Sequence, residues 1–98
     1  MEVKLIIDGK KIKTKEELHA FFKKELEFPD YYGENLDAFW DCLTDAMTDY
    51  SIFIKWINFK ESKKIFGSEY LNHFLEMFED AITFYKSDRT LFSYEIID

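Results

Sequence analysis

Apolar residues recur at two spacings along this chain, and the switches between them outline seven elements. VKLIID (Val3–Asp8) is a short β-rich run closed by the turn dipeptide Asp8-Gly9, and it predicts a strand. Thr14 with Glu17 three residues on has the form of a capping box. It predicts a helix over Lys15–Leu26, with Leu18, Phe21, Phe22 and Leu26 on one stripe. Pro29 and Gly33 bracket a loop, after which Asn35 is placed to cap a second helix, Leu36–Met47. SIFIKWI (Ser51–Ile57) is β-branched and aromatic and predicts a strand. Asn58 is the expected cap of a short helix ending near Gly67. A longer helix, Ser68–Lys86, follows with Leu71, Leu75, Phe78 and Ile82 in register. TLFSYEII (Thr90–Ile97) predicts the last strand.

The resulting order is β-α-α-β-α-α-β. Strands joined by helical connections of this length favour an α/β fold with a three-stranded parallel sheet and right-handed crossovers. No repeat, low-complexity stretch or internal linker divides the chain, so residues 1–98 are expected to form a single domain. Hydrophobic residues make up 47% and aromatics 19%, enough for a packed core without disulfide staples. The single cysteine, Cys42, allows no internal disulfide, and no stretch reads as a signal peptide or a membrane span. The expectation is a cytoplasmic protein, with no membrane association.

Charge adds a sharper clue. The net charge is −7, which argues against direct nucleic-acid binding, because phosphate contacts need clustered Lys and Arg. Met1–Lys24 holds seven Lys, whereas Glu27–Tyr50 holds seven acids and no base. Such a segment is either a solvated acidic face or a surface that steers a cationic partner. On a helical wheel Leu36, Phe39, Leu43, Ala46 and Met47 share one apolar arc. Asp37, Asp41 and Asp45 fall on a second arc, and Trp40 stands at the border. Like charges at i, i+4 destabilise a helix by roughly 0.2–0.5 kcal/mol per pair. Asp37, in the first turn, is compensated by the helix dipole; Asp41 and Asp45 are less so. A half-exposed Trp is enriched at binding hot spots.

Catalytic readings find little support. A stripe of carboxylates on one helix is not a pair facing across a cleft. A Ca²⁺ loop with its turn glycine is missing, as is a glycine-rich phosphate loop, so neither metal nor cofactor is expected. His19 and His73 are isolated and read as surface or core-edge residues, and Cys42 as a buried small hydrophobe. The chain is expected not to be an enzyme.

KKELEFPDYYGENLDAFWDCLTD, Lys23–Asp45, resembles the barstar family, intracellular inhibitors of a secreted guanyl-preferring bacterial ribonuclease. The match is dense over Leu18–Thr44, including YYGENLDA (Tyr31–Ala38) and WDCLT (Trp40–Thr44), and looser beyond. The resemblance implies a two-layer fold, a three-stranded parallel sheet packed against helices. It implies an antitoxin-like ribonuclease inhibitor, monomeric when free, whose surface includes Tyr31, Asn35, Asp37, Trp40, Asp41 and Thr44. Asp41 would enter the enzyme's phosphate-binding pocket. Asp80 aligns with a further family acid that meets a partner base. Asp45 and Ala46 stand where the archetype has a glycine and an aromatic, and Phe84 stands near the place of another acid. Asp45 extends the acidic stripe and joins the expected partner-binding set. The alternative is an acidic interaction or regulatory module on the same fold, with a different basic partner.

Overall fold

Alternation decides the first strand. In β1 (Glu2–Asp8) Leu5 and Ile7 are buried while Lys4 and Ile6 face out, the period-two pattern of a sheet covered on one side. The computed structural model describes residues 2–85 and 91–98. β1 pairs in parallel with β2 (Ser51–Ile57), which pairs in parallel with β3 (Phe92–Ile96), giving the sheet order β1-β2-β3. Register lines up the inward residues in rows: Val3 with Ile52 and Phe92, Leu5 with Ile54 and Tyr94, Ile7 with Trp56 and Ile96. The outward rows carry Lys4, Phe53 and Ser93, then Ile6, Lys55 and Glu95.

Four helices cover the inward face: α1 (Lys15–Glu25), α2 (Leu36–Ala46), α3 (Phe59–Phe66) and α4 (Ser68–Phe84). The order β-α-α-β-α-α-β and the two-layer α/β architecture are those expected. An aromatic stack joins the layers. Phe22 of α1 meets Phe39 of α2 at 4.6 Å between ring centroids, and Phe39 meets Phe74 of α4 at 5.1 Å. Phe74 and Phe78 in turn lie against Trp56 of β2. Each of these rings is fully buried, and burial of a side chain of this size contributes about 1.5–3 kcal/mol. Among the described residues no buried side-chain polar atom lacks a partner; the Trp56 indole, for example, donates to Ser62 Oγ at 3.0 Å.

The ends of the elements follow local chemistry, with instructive departures. Thr14 Oγ1 accepts from the Glu17 amide, while the Glu17 carboxylate reaches the amide of Lys13 rather than that of Thr14. Asn58 precedes α3 but makes no side-chain cap. Its backbone is left-handed (φ 52°) and its amide donates to Asp8 Oδ1, so it ties the end of β1 to the end of β2. Gly9 lies beneath that junction, where a Cβ would stand 2.1 Å from the Asn58 carbonyl oxygen; only glycine fits. β1 begins one residue before the expected Val3, and α1 and α2 end one residue early, with Leu26 and Met47 as their C-caps. α4 stops at Phe84, short of the expected Lys86, with Tyr85 already extended, and β3 runs Phe92–Ile96 within the expected Thr90–Ile97; Lys86 and Thr90 themselves lie outside the described residues.

Two buried stripes differ from expectation. On α4 the buried set is Leu71, Phe74, Phe78 and Ala81, whereas Leu75 is half-buried and Ile82 is exposed. Both sets have helical spacing, and the larger Phe74 ring wins the inward face because it fills the space between Phe22, Phe39 and Trp56. On α1, His19 is buried beside Leu18 and Phe22, while Phe21 is only half-buried. His19 is therefore a core residue, and His73 is exposed.

Candidate functional site

The loop from Glu27 to Glu34 hands the chain from α1 to α2. Left-handed glutamates stand at its two ends, Glu27 (φ 53°) and Glu34 (φ 49°), a conformation uncommon outside glycine. Within it the Tyr32 amide bonds the Pro29 carbonyl at 3.0 Å, closing a turn. Neighbouring tyrosines then point opposite ways: Tyr31 is 85% exposed and Tyr32 is 6% exposed. Asn35 ends the loop. Its Oδ1 accepts from the Ala38 amide at 2.8 Å and its Nδ2 donates to the Gly33 carbonyl, so one side chain caps α2 and fixes the loop before it.

α2 lies beside α4, and a groove of about 630 Å³ runs between them. Leu36, Asp37, Trp40 and Asp41 form one wall; His73, Glu76, Met77 and Asp80 form the other. Four carboxylates thus surround an apolar floor of Leu36, Trp40 and Met77. Trp40 is half-buried, with its indole edge to face against Phe84 at the end of α4, ring centroids 5.3 Å apart. Tyr85 locks the two helices by donating its phenol to the Thr44 carbonyl at 3.0 Å. The ion pairs among the described residues, Lys4–Glu2, Lys55–Glu95 and Lys64–Glu61, include none of the groove acids.

The expected site residues do not all share one surface. Asp37, Trp40, Asp41 and Asp80 share the groove. Asn35 lines an adjoining depression with Lys15, Glu16 and Tyr70, and Tyr31 stands free above the loop. Asp45 does not line the groove. It borders a small hollow with Glu27, Pro29 and Cys42, because an i, i+4 series turns about 40° per step and leaves the α4 side within two steps. Thr44 is buried, and its hydroxyl donates to the carbonyls of Trp40 and Asp41, so it serves the helix backbone rather than the open face.

Glu76, Met77 and His73 were not anticipated. Their spacing with Asp80, at i, i+3, i+4 and i+7 from His73, was a legible helical face, but only contact with α2 gives it a role. Cys42 is half-buried rather than buried; burial first, then the carboxylates of Asp45 and Asp41, push its thiol above the ordinary range and away from nucleophilic character. The groove carboxylates do not converge: among the described residues no three metal-ligating side chains are arranged to hold an ion. None of the described helices is long and apolar enough to cross a membrane. What remains is a rigid, two-helix acidic wall with an indole at its centre, an arrangement suited to receiving basic side chains from another protein.

A fold of three parallel strands under four helices, with this loop and acidic second helix, defines a class, and comparison with known families gives the same answer. Residues 3–97 match Barstar, described as "Barstar (barnase inhibitor)", and the chain belongs to that family. It is 45% identical over 78 residues to a protein of Bacillus subtilis (strain 168) named "Putative ribonuclease inhibitor YrdF"; the match covers 80% of this chain and 84% of that relative.

Proposed function

We propose that this chain inhibits a ribonuclease by placing the α2–α4 groove and the loop before α2 over the enzyme's cationic active site. The observation that carries the reading is the groove itself: Asp37, Asp41, Glu76 and Asp80 around Trp40, with no basic partner of their own among the described ion pairs. A ribonuclease site holds Arg, Lys and His to bind phosphate and stabilise the charged transition state. A carboxylate on a rigid helix takes the phosphate's place and accepts charge-assisted hydrogen bonds. Asp41, exposed in mid-helix, is the residue we assign to that position, with Tyr31 supplying flat apolar area beside it. Inhibition is steric and electrostatic, with no covalent step. Membership of the Barstar family and the name of the relative support a ribonuclease as the partner.

The test is RNA cleavage by barnase, then by basic secreted ribonucleases of the source organism, titrated with the purified chain. Stoichiometric loss of cleavage is expected, and Asp41→Ala should relieve it, since removing one partner of a buried ion pair costs about 3–5 kcal/mol. Undiminished cleavage by all of these enzymes would overturn the reading in favour of an acidic module with another basic partner.

A further inference from the structure

Buried beneath the loop is a polar chain that the groove does not use. His19, 3% exposed on the inward side of α1, touches two phenols. Its Nδ1 bonds the Tyr32 hydroxyl at 2.5 Å and its Nε2 bonds the Tyr70 hydroxyl at 3.1 Å. A neutral imidazole has one donor and one acceptor nitrogen, and a phenol can serve as either, so both tautomers satisfy both contacts. Tyr70 belongs to the first turn of α4, and Lys15 holds its ring from outside, with Nζ 4.3 Å from the centroid. Tyr32 is further fixed by Phe28, edge to face at 5.0 Å. Three elements therefore meet at one imidazole: α1, the loop and α4.

We propose that His19 is a positioning residue for the binding loop. By tying Tyr32 to Tyr70 it holds the loop backbone in the one arrangement that leaves Tyr31 outward beside the acidic helix. The inference rests on the ribonuclease-inhibitor reading for the importance of Tyr31, but the clamp itself is a property of the free protein. The geometry supplies the reason. Tyr31 is 85% exposed, so little of the protein surrounds its ring and its direction follows the backbone that Tyr32 anchors. Tyr32 in turn reaches the body of the protein through a ring edge and a hydroxyl bond. Without that hydroxyl bond, the loop keeps the turn closed at Tyr32, the Asn35–Gly33 bond and the Tyr32–Phe28 ring contact, none of which reaches α4.

Two measurements decide it. The first uses the free protein: backbone ¹⁵N order parameters for residues 30–34 in the native chain and in His19→Leu. The native loop should sit near about 0.85, the variant loop below about 0.6, with α2 unchanged. A variant loop as rigid as the native one would overturn the proposal, even if the protein melts earlier, because a merely space-filling histidine would lower stability without freeing the loop. The second uses barnase as the probe and compares dissociation rates for His19→Leu, Tyr31→Ala and the pair. His19→Leu should speed dissociation about fivefold to tenfold, the effect of about one hydrogen bond, and should add almost nothing once Tyr31 is alanine. Additive effects would overturn it. Should His19→Leu not fold, Tyr32→Phe removes a single hydroxyl and carries both measurements. Should the native chain not bind barnase or another ribonuclease, the inhibitor reading fails on its own, and the order parameters alone uphold or overturn the clamp.

Discussion

The indole of Trp40 on α2 stands at 89° to the ring of Phe84 at the end of α4, so the edge of one aromatic closes on the other. Phe84 is 48% exposed, and its place in this pair accounts for a large apolar side chain at the surface. The position where the family resemblance suggested an acid instead holds a prop for the groove's central aromatic.

Phe84→Ala should remove that prop. An aromatic pair contributes about 0.5–1.5 kcal/mol beyond the area it buries, so denaturant unfolding should show a loss of roughly that size. The Trp40 indole N–H resonance should broaden or shift, while that of the fully buried Trp56 stays in place. An unmoved Trp40 signal would show that α2 alone fixes the indole.

Glu76→Gln should leave the fold untouched and slow association with a basic ribonuclease. Exposed acids act by steering, so the loss should be about two- to threefold at low salt and fade as ionic strength rises. Stopped-flow mixing across a salt series checks it. A salt-independent association rate would mean that the groove acids are only a solvated face.

Asp45→Asn should separate stability from binding. Asp45 lies in the last turn of α2, where negative charge opposes the helix dipole, and it stands four residues from Asp41. Removing the charge should raise stability by about 0.3–1 kcal/mol at low salt. Because Asp45 faces the hollow beside Glu27 and Cys42 rather than the groove, nuclease affinity should change little. A loss of affinity in calorimetry would place Asp45 within the interface after all.

His19 gives a pH dependence with a definite sign. Burial holds its imidazole below the ordinary value of 6.5, against a smaller opposing pull from Glu34 and Glu16. The unfolded chain therefore takes up the proton first as pH falls. The contribution of neutral His19 is complete above about pH 6.5 and is lost between there and its lower folded value. Unfolding of native protein and His19→Gln compared across pH 7.5 to 5, a range set about that value, should diverge above 6.5 and converge below. Parallel curves would refute the assignment.

Much of this was legible in advance, for identifiable reasons. Strand and helix order follows from periodicity and from Thr14 and Asn35, whose caps form locally. The acidic wall on α2 follows from a single helix and a wheel. The wall on α4 does not, because Glu76 and Met77 acquire meaning only from the helix they face. His19 was misplaced for the same reason: its partners Tyr32 and Tyr70 lie 13 and 51 residues away, and an isolated histidine in a helix carries no sign of them. Asn58 looked like a cap and instead spends its amide on Asp8, 50 residues earlier.

The groove's two walls come from different crossovers. α2 lies between β1 and β2, and α4 lies between β2 and β3. During synthesis the acids of α2 leave the ribosome well before Glu76 and Asp80. β3 then brings Phe92 and Tyr94 against Phe78, beside the contacts α4 already makes with Phe39 and Trp56. A nascent chain thus carries the α2 acids before the α4 wall exists to face them. The last strand in chain order supports the second wall from below, through Phe92 and Tyr94 on Phe78 and the Tyr94 hydroxyl on Glu79.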